Sequence, residues 1–153
     1  MWFRVFGVGD KPPDPAELLK HLDGMGLKVE GRFKSDDLGW FHCDLVLPGD
    51  DRSLVLERYM ADEDDIRHEL SAWAAWLETV ENNSYSLKLM EQMIRTKQLF
   101  TLDCPRDRAE EERVEKLCAG LCRYLAQQTQ GIYQVDRQGF FAPNGKLLVR
   151  ETS

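Results

Sequence analysis

The order of apolar and polar residues along the chain predicts β-strands at both ends and helices between them. Aromatic and β-branched residues fill residues 2–8, and such residues favour strands. Alternation over residues 27–33, 40–47 and 54–59 predicts three consecutive strands of an antiparallel meander. Further strands are predicted over residues 98–102, 132–135, 140–142 and 147–149.

Turn-forming residues mark where several of these elements begin and end. Asp14 before Pro15 is typical of a helix start, because aspartate caps free amides and proline suits the first helical position. The first helix is therefore predicted over residues 15–23. Asn144 and Gly145 join the last two strands and favour a type I′ hairpin turn.

The middle of the chain carries a predicted helix with a wide apolar surface. Four acids at residues 62–65 suit a helix start, because carboxylates there complement the helix dipole. Ala72, Ala75 and Trp76 extend the apolar surface beyond one face, so we expect burial on two sides. The inner face at helical spacing consists of Ile66, Leu70, Trp73, Leu77 and Val80.

Two more helices complete the predicted elements. A short amphipathic helix is predicted over residues 87–95, and a long helix is predicted to start at Asp107. The apolar stripe of the long helix includes Cys118 and Cys122. We therefore expect both thiols to face the core.

Together these elements predict one α+β domain over residues 1–153, with four helices and a mixed, mostly antiparallel sheet. The order of elements near the start resembles the order near the end, since each has a strand, a proline-containing loop, a helix and two further strands. One interpretation is an internal duplication of two ferredoxin-like βαββ units. The pseudo-repeats would be residues 1–60 and 97–150, joined by helices at about 62–95. Chance similarity of element order is the alternative, because such order is common in α+β folds.

Composition and charge exclude several classes of partner. Of 153 residues, 42% are apolar and 31% charged, which is typical of a globular protein. A net charge of −7 disfavours nucleic acid, because the protein's field repels phosphate backbones. The apolar runs are too short to span a membrane and no secretory leader is evident. We expect a cytoplasmic protein.

The cysteines and histidines do not follow the spacing of known metal sites. Cys118 and Cys122 lie four residues apart, as in half of a metal site, but His21, His42 and His68 fall in separate elements. We expect the cysteines, which include Cys43 and Cys104, to be reduced core thiols. No metal and no cofactor are expected, since the chain also lacks a dinucleotide-binding glycine motif.

One predicted strand supplies the candidate site. Alternation from Trp40 predicts that Trp40, His42 and Asp44 share one face of the sheet, opposite Phe41. His42 with Asp44 or Glu30 could form an acid–base pair there.

The predicted tryptophan helix supplies a second surface. Trp73 and Trp76 lie on adjacent faces of it, and tryptophan is enriched at protein interfaces. Candidate binding residues are therefore Trp40, His42, Trp73 and Trp76.

No part of the sequence carries a motif that identifies a reaction. We therefore predict a non-enzymatic binding or regulatory module, which forms a homodimer through the surface around Trp73, Ala75 and Trp76. The alternatives to a second copy as partner are another protein and a small molecule. The alternative is a small enzyme that acts on a metabolite with acid and base residues of the His42 face.

Overall fold

The computed structural model describes residues 1–151, and an eight-stranded sheet runs through the whole of this range. The strands are β1 (Trp2–Gly7), β2 (Glu30–Asp36), β3 (Gly39–Val46), β4 (Leu54–Met60), β5 (Gln98–Asp103), β6 (Ile132–Val135), β7 (Gly139–Phe141) and β8 (Leu147–Arg150). The helices are α1 (Pro15–Gly24), α2 (Asp64–Glu78), α3 (Ser86–Arg95) and α4 (Glu112–Gln128). The predicted types and order of the elements are confirmed.

Two local predictions were wrong. The long helix starts at Glu112 and not at Asp107, because residues 106–110 form turns in which the buried Arg108 pairs with Asp50. The last hairpin does not have a type I′ turn, which requires a positive φ at both central residues. Gly145 has a φ of 92° but Asn144 has no positive φ, and the Gly145 N–H donates to the Ala142 carbonyl.

The strands lie in the order β2-β3-β4-β5-β1-β6-β7-β8, and each neighbouring pair is antiparallel. The prediction of a mixed sheet is therefore corrected to an antiparallel one. The first strand of the chain lies near the centre of the sheet, between β5 and β6. Segments from the two ends of the chain thus meet in one hydrogen-bonded ladder.

Nothing in residues 1–151 supports duplicated ferredoxin-like units. The connection through α1 passes from β1 across three strands to β2, whereas the connection through α4 passes from β5 across β1 alone to reach β6. The two βαββ segments therefore have different connections in the sheet. Because β1 fills the gap between β5 and β6, it pairs only with strands of the second segment and with none of β2–β4.

The two faces of the sheet are covered unequally. Helices α1 and α4 pack on the first face, where the larger core contains Val5, Leu45, Leu56 and Phe100 from the strands. Helices α2 and α3 pack on the second face, against a smaller core. Its buried strand residues are Phe6, Leu99, Ile132, Phe140 and Val149. Within the described chain, this smaller core has no member from β2 or β3, so the second face stays open at that end of the sheet.

The inner face of α2 gives a direct test of this packing. Leu77 is fully buried in the smaller core, whereas the neighbouring Glu78 is exposed. Leu77→Ala should lower the free energy of unfolding by about 2–5 kcal/mol, because it removes buried methyl groups and leaves a cavity. Glu78→Ala should change it by less than about 0.5 kcal/mol. Urea titrations of both variants measure the difference, and equal midpoints would show that α2 does not pack in this register.

Candidate functional site

Of the predicted acid–base residues, His42 and Asp44 lie close together on the open second face of the sheet. His42 Nε2 lies 3.2 Å from Asp44 Oδ1, and its Nδ1 lies 3.9 Å from Glu57 Oε2. Ser53 donates a hydrogen bond of 3.3 Å to Asp44. Glu57 was missed by sequence reasoning, because it stands opposite His42 on the next strand and only the pairing of β3 with β4 reveals it.

Glu30 is not part of this cluster. It pairs with Val46, whereas Lys34 is the residue of β2 opposite His42. Four residues of extended strand, about 13 Å, therefore separate Glu30 from the position opposite His42. Its carboxylate instead lies 3.5 Å from Arg32.

Trp40 does not share a face with His42, so this prediction was wrong. The register of β2 with β3 shifts at this point, since Lys34 pairs with His42 and Ser35 pairs with Trp40, which leaves Phe41 as an extra residue. Such a bulge breaks the alternation of a strand. Trp40 is only 2% exposed in the larger core, and its indole N–H donates to the Pro13 carbonyl over 2.7 Å.

Trp73 and Trp76 are partly buried and both contact Phe140. The ring centroids lie 5.5 Å and 5.9 Å from that of Phe140. Arg4 stacks over the Trp73 ring at 5.3 Å and binds Glu69 of the same helix. The tryptophans thus anchor α2 on the sheet, while Ala75 is exposed. Within one chain α2 is buried on one side, not on two.

A larger concave site, which we call the arginine cleft, lies on the first face of the sheet. It has a volume of about 840 Å³ and opens between α4 and the strands β6 and β7. The apolar and aromatic side chains that line it include Phe3, Ala119, Tyr133, Val135 and Phe141. This size and character are typical of small-molecule sites.

Three arginines line this cleft, namely Arg106, Arg123 and Arg137. All three are exposed, and none forms a salt bridge with a carboxylate of the described chain. The carboxylate of Asp136, which also lines the cleft, is already bound by Arg4 at 2.7 Å. Apart from the contact between Arg123 and the Tyr133 hydroxyl, the three guanidinium groups therefore keep their donors for another partner.

Two structural features hold Arg123 and the aromatic wall in place. Gly145 leaves room for the Arg123 guanidinium, because a Cβ at this position would lie 2.7 Å from Arg123 Cζ. The rings of Tyr133 and Phe141 are stacked, with centroids 5.1 Å apart and planes 9° from parallel. Burial raises the pKa of the Tyr133 hydroxyl, and the neighbouring Arg123 partly offsets that rise.

Cysteines form part of the cleft floor, where Cys104 and Cys118 lie side by side. A hydrogen bond with the Cys118 thiol lowers the pKa of Cys104 against the opposing effect of burial, and the charges of the N-terminal ammonium and of the Arg108 guanidinium add to the lowering. The same contact, together with burial, raises the pKa of Cys118. All the cysteines are buried and free, as predicted, but their sequence positions gave no indication that Cys104 differs from Cys122.

The cleft also has an acidic rim. Glu110 and Glu115 line it near the start of α4. Glu115 lies eight residues before Arg123 on the helix, a distance of about 12 Å along the axis. One end of the cleft is therefore of mixed charge, whereas the end at Arg123 and Gly145 is basic.

Within residues 1–151, no three His, Cys, Asp or Glu side chains are grouped so that they could hold a metal ion. None of the described helices has both the length and the apolar character needed to cross a membrane. Comparison with known protein families, curated proteins and solved structures finds no match to this chain. Its function is therefore inferred from its own residues.

The contact between Cys104 and Cys118 predicts unequal thiol reactivity. Iodoacetamide reacts with the thiolate, so the alkylation rate at Cys104 should rise with pH around a midpoint below the usual range of a thiol, because the Cys118 contact lowers the pKa of Cys104. Cys118→Ala removes the hydrogen bond and should move this midpoint upward. Peptide mass spectrometry after timed alkylation of the folded protein measures both. Cys122 is the control, because burial raises its pKa, and equal rates at Cys104 and Cys122 would contradict the assignment.

Proposed function

We propose that this protein is a binding module for a small organic anion that carries an aromatic ring, held in the arginine cleft. The observation that supports this most strongly is that Arg106, Arg123 and Arg137, far apart in sequence, line one cleft without carboxylate partners. Guanidinium groups recognise carboxylate and phosphate through paired, charge-assisted hydrogen bonds. An anion is thus the chemical group that complements them.

The aromatic part of the ligand is inferred from the cleft wall. Phe141 is partly buried and stacks on Tyr133, so its other side can receive a further ring in an offset stack. The apolar floor formed by Phe3 and Val135 favours a ligand with an apolar body. A phosphate or carboxylate on an aromatic ring would satisfy the arginines and the wall together.

The His42 cluster supports the catalytic alternative less well. His42 and Asp44 lie on the open second face, with side chains 21% and 31% exposed, whereas the arginine cleft lies on the opposite face. Acid–base catalysis requires a substrate held within hydrogen-bond reach of both groups. The arginines line a concave site of about 840 Å³, which favours ligand binding there as the main hypothesis.

Isothermal titration calorimetry at low ionic strength tests the proposal with adenosine monophosphate and phenyl phosphate. Both should bind saturably, with a dissociation constant no weaker than about 1 mM, which corresponds to about −4.1 kcal/mol. Inorganic phosphate and phenol, which each offer only one half of the ligand, should bind more weakly. Failure of both aromatic phosphates to bind would refute the proposal.

Single substitutions then locate the binding site. Arg123→Ala and Arg137→Ala should each weaken binding of adenosine monophosphate about tenfold or more, because one charge-assisted contact contributes about 1.5–3 kcal/mol. Arg32→Ala is the matched control, since Arg32 is exposed and lies outside the cleft. Calorimetry of the variants provides the readout, with circular dichroism to confirm folding. Equal affinities for all of them would mean that the ligand binds elsewhere.

A further inference from the structure

We infer that the outer surface of α3, together with the groove beside it, is a self-association surface for a second copy of this chain. Leu87 and Ile94 are 73% and 78% exposed, and no other large apolar side chain of the described chain is as exposed as these two. They are seven residues apart on one helix, and the partly buried Met90 lies between them. This spacing places all three on one stripe.

Helix α3 therefore has two apolar faces. Its inner face is used within the chain, because Leu89 and Met93 are buried in the smaller core. Leu87, Met90 and Ile94 form the other face, which we call the outer stripe. Met90 packs in part against the smaller core, whereas the strongly exposed Leu87 and Ile94 are free for an intermolecular contact.

A groove of about 750 Å³ runs beside the outer stripe, between α2 and α3. Ala74 and Ala75 of α2 line it, together with Met90 and Ile94 of α3. The patch thus contains both a projecting apolar side chain and, next to it, a groove lined in part by apolar residues. A twofold axis would let Ile94 of each copy enter the groove of the other, since a twofold contact pairs a patch with itself.

Charge at this patch favours a second copy over a charged partner of another kind. The chain as a whole has a net charge of −7, which opposes self-association. Here, however, the charged residues that line the groove or flank the stripe balance one another. The basic ones are Arg67, Lys88, Arg95 and Lys97, and the acidic ones are Asp10, Asp62, Glu78 and Glu91. Two copies can therefore meet here without the repulsion that the rest of the surface imposes.

The dimer contact inferred here lies on α3 and not on α2, the predicted tryptophan helix. Trp73 and Trp76 pack on Phe140 inside the chain, so they are not the main part of the surface. Of the earlier candidates, Ala75 remains exposed and lines the groove.

Sedimentation velocity of the full chain between about 1 µM and about 1 mM tests the inference, because this concentration range covers the dissociation constants of dimers of modest affinity. The protein should convert from monomer to dimer as concentration rises. Ile94→Glu and Leu87→Lys should each weaken the dimer at least tenfold, because each places a charge in the apolar contact. Both positions are exposed in the monomer, so the thermal midpoints should not fall.

The control is Phe41→Glu, since Phe41 is another exposed large apolar residue, 40% exposed, on β3 and away from α3. It should leave the dimer constant unchanged. A wild-type protein that stays monomeric at every concentration would overturn the inference. So would a dimer that Ile94→Glu and Leu87→Lys weaken no more than Phe41→Glu does.

Discussion

The packing of α4 across the centre of the sheet determines which part of the first face is covered and where the arginine cleft lies. Leu117, Leu121 and Leu125 of this helix are fully buried in the larger core. The helix links β5 to β6 and covers β1, which lies between them. Its position closes the centre of the first face but leaves the flank of β6 and β7 accessible, and the arginine cleft forms along that flank.

The second face follows a different arrangement. There the α2–α3 pair packs on buried residues of β1 and β5–β8 only, and α3 presents an apolar stripe to solvent. The arginine cleft and the outer stripe therefore lie on opposite faces of the sheet. Ligand binding and self-association would accordingly occupy separate surfaces.

Local features of the sequence predicted the helices and strands well, because hydrophobic periodicity and helix capping depend on residues that are close together in the sequence. The helix start at Asp14 and Pro15 is an example, since the Asp14 side chain accepts hydrogen bonds from Ala16 and Glu17 as its position suggests. Non-local features were not predictable in this way. The single extra residue at Phe41 reverses the face of Trp40 relative to His42, and alternation alone cannot reveal a bulge. Likewise, Arg106, Arg123 and Arg137 are scattered in sequence and are brought together only by the pairing of β6 beside β1.

An NMR titration of the full chain with adenosine monophosphate shows most directly whether the arginine cleft binds an aromatic anion. We expect saturable shifts of the Arg123 and Arg137 Nε–Hε signals and of the Tyr133 and Phe141 ring signals, all with one dissociation constant. The His42 ring on the opposite face should not shift at constant pH. Shifts centred on His42, Asp44 and Glu57, with the arginine signals unmoved, would instead place the ligand on the second face and refute binding in the arginine cleft.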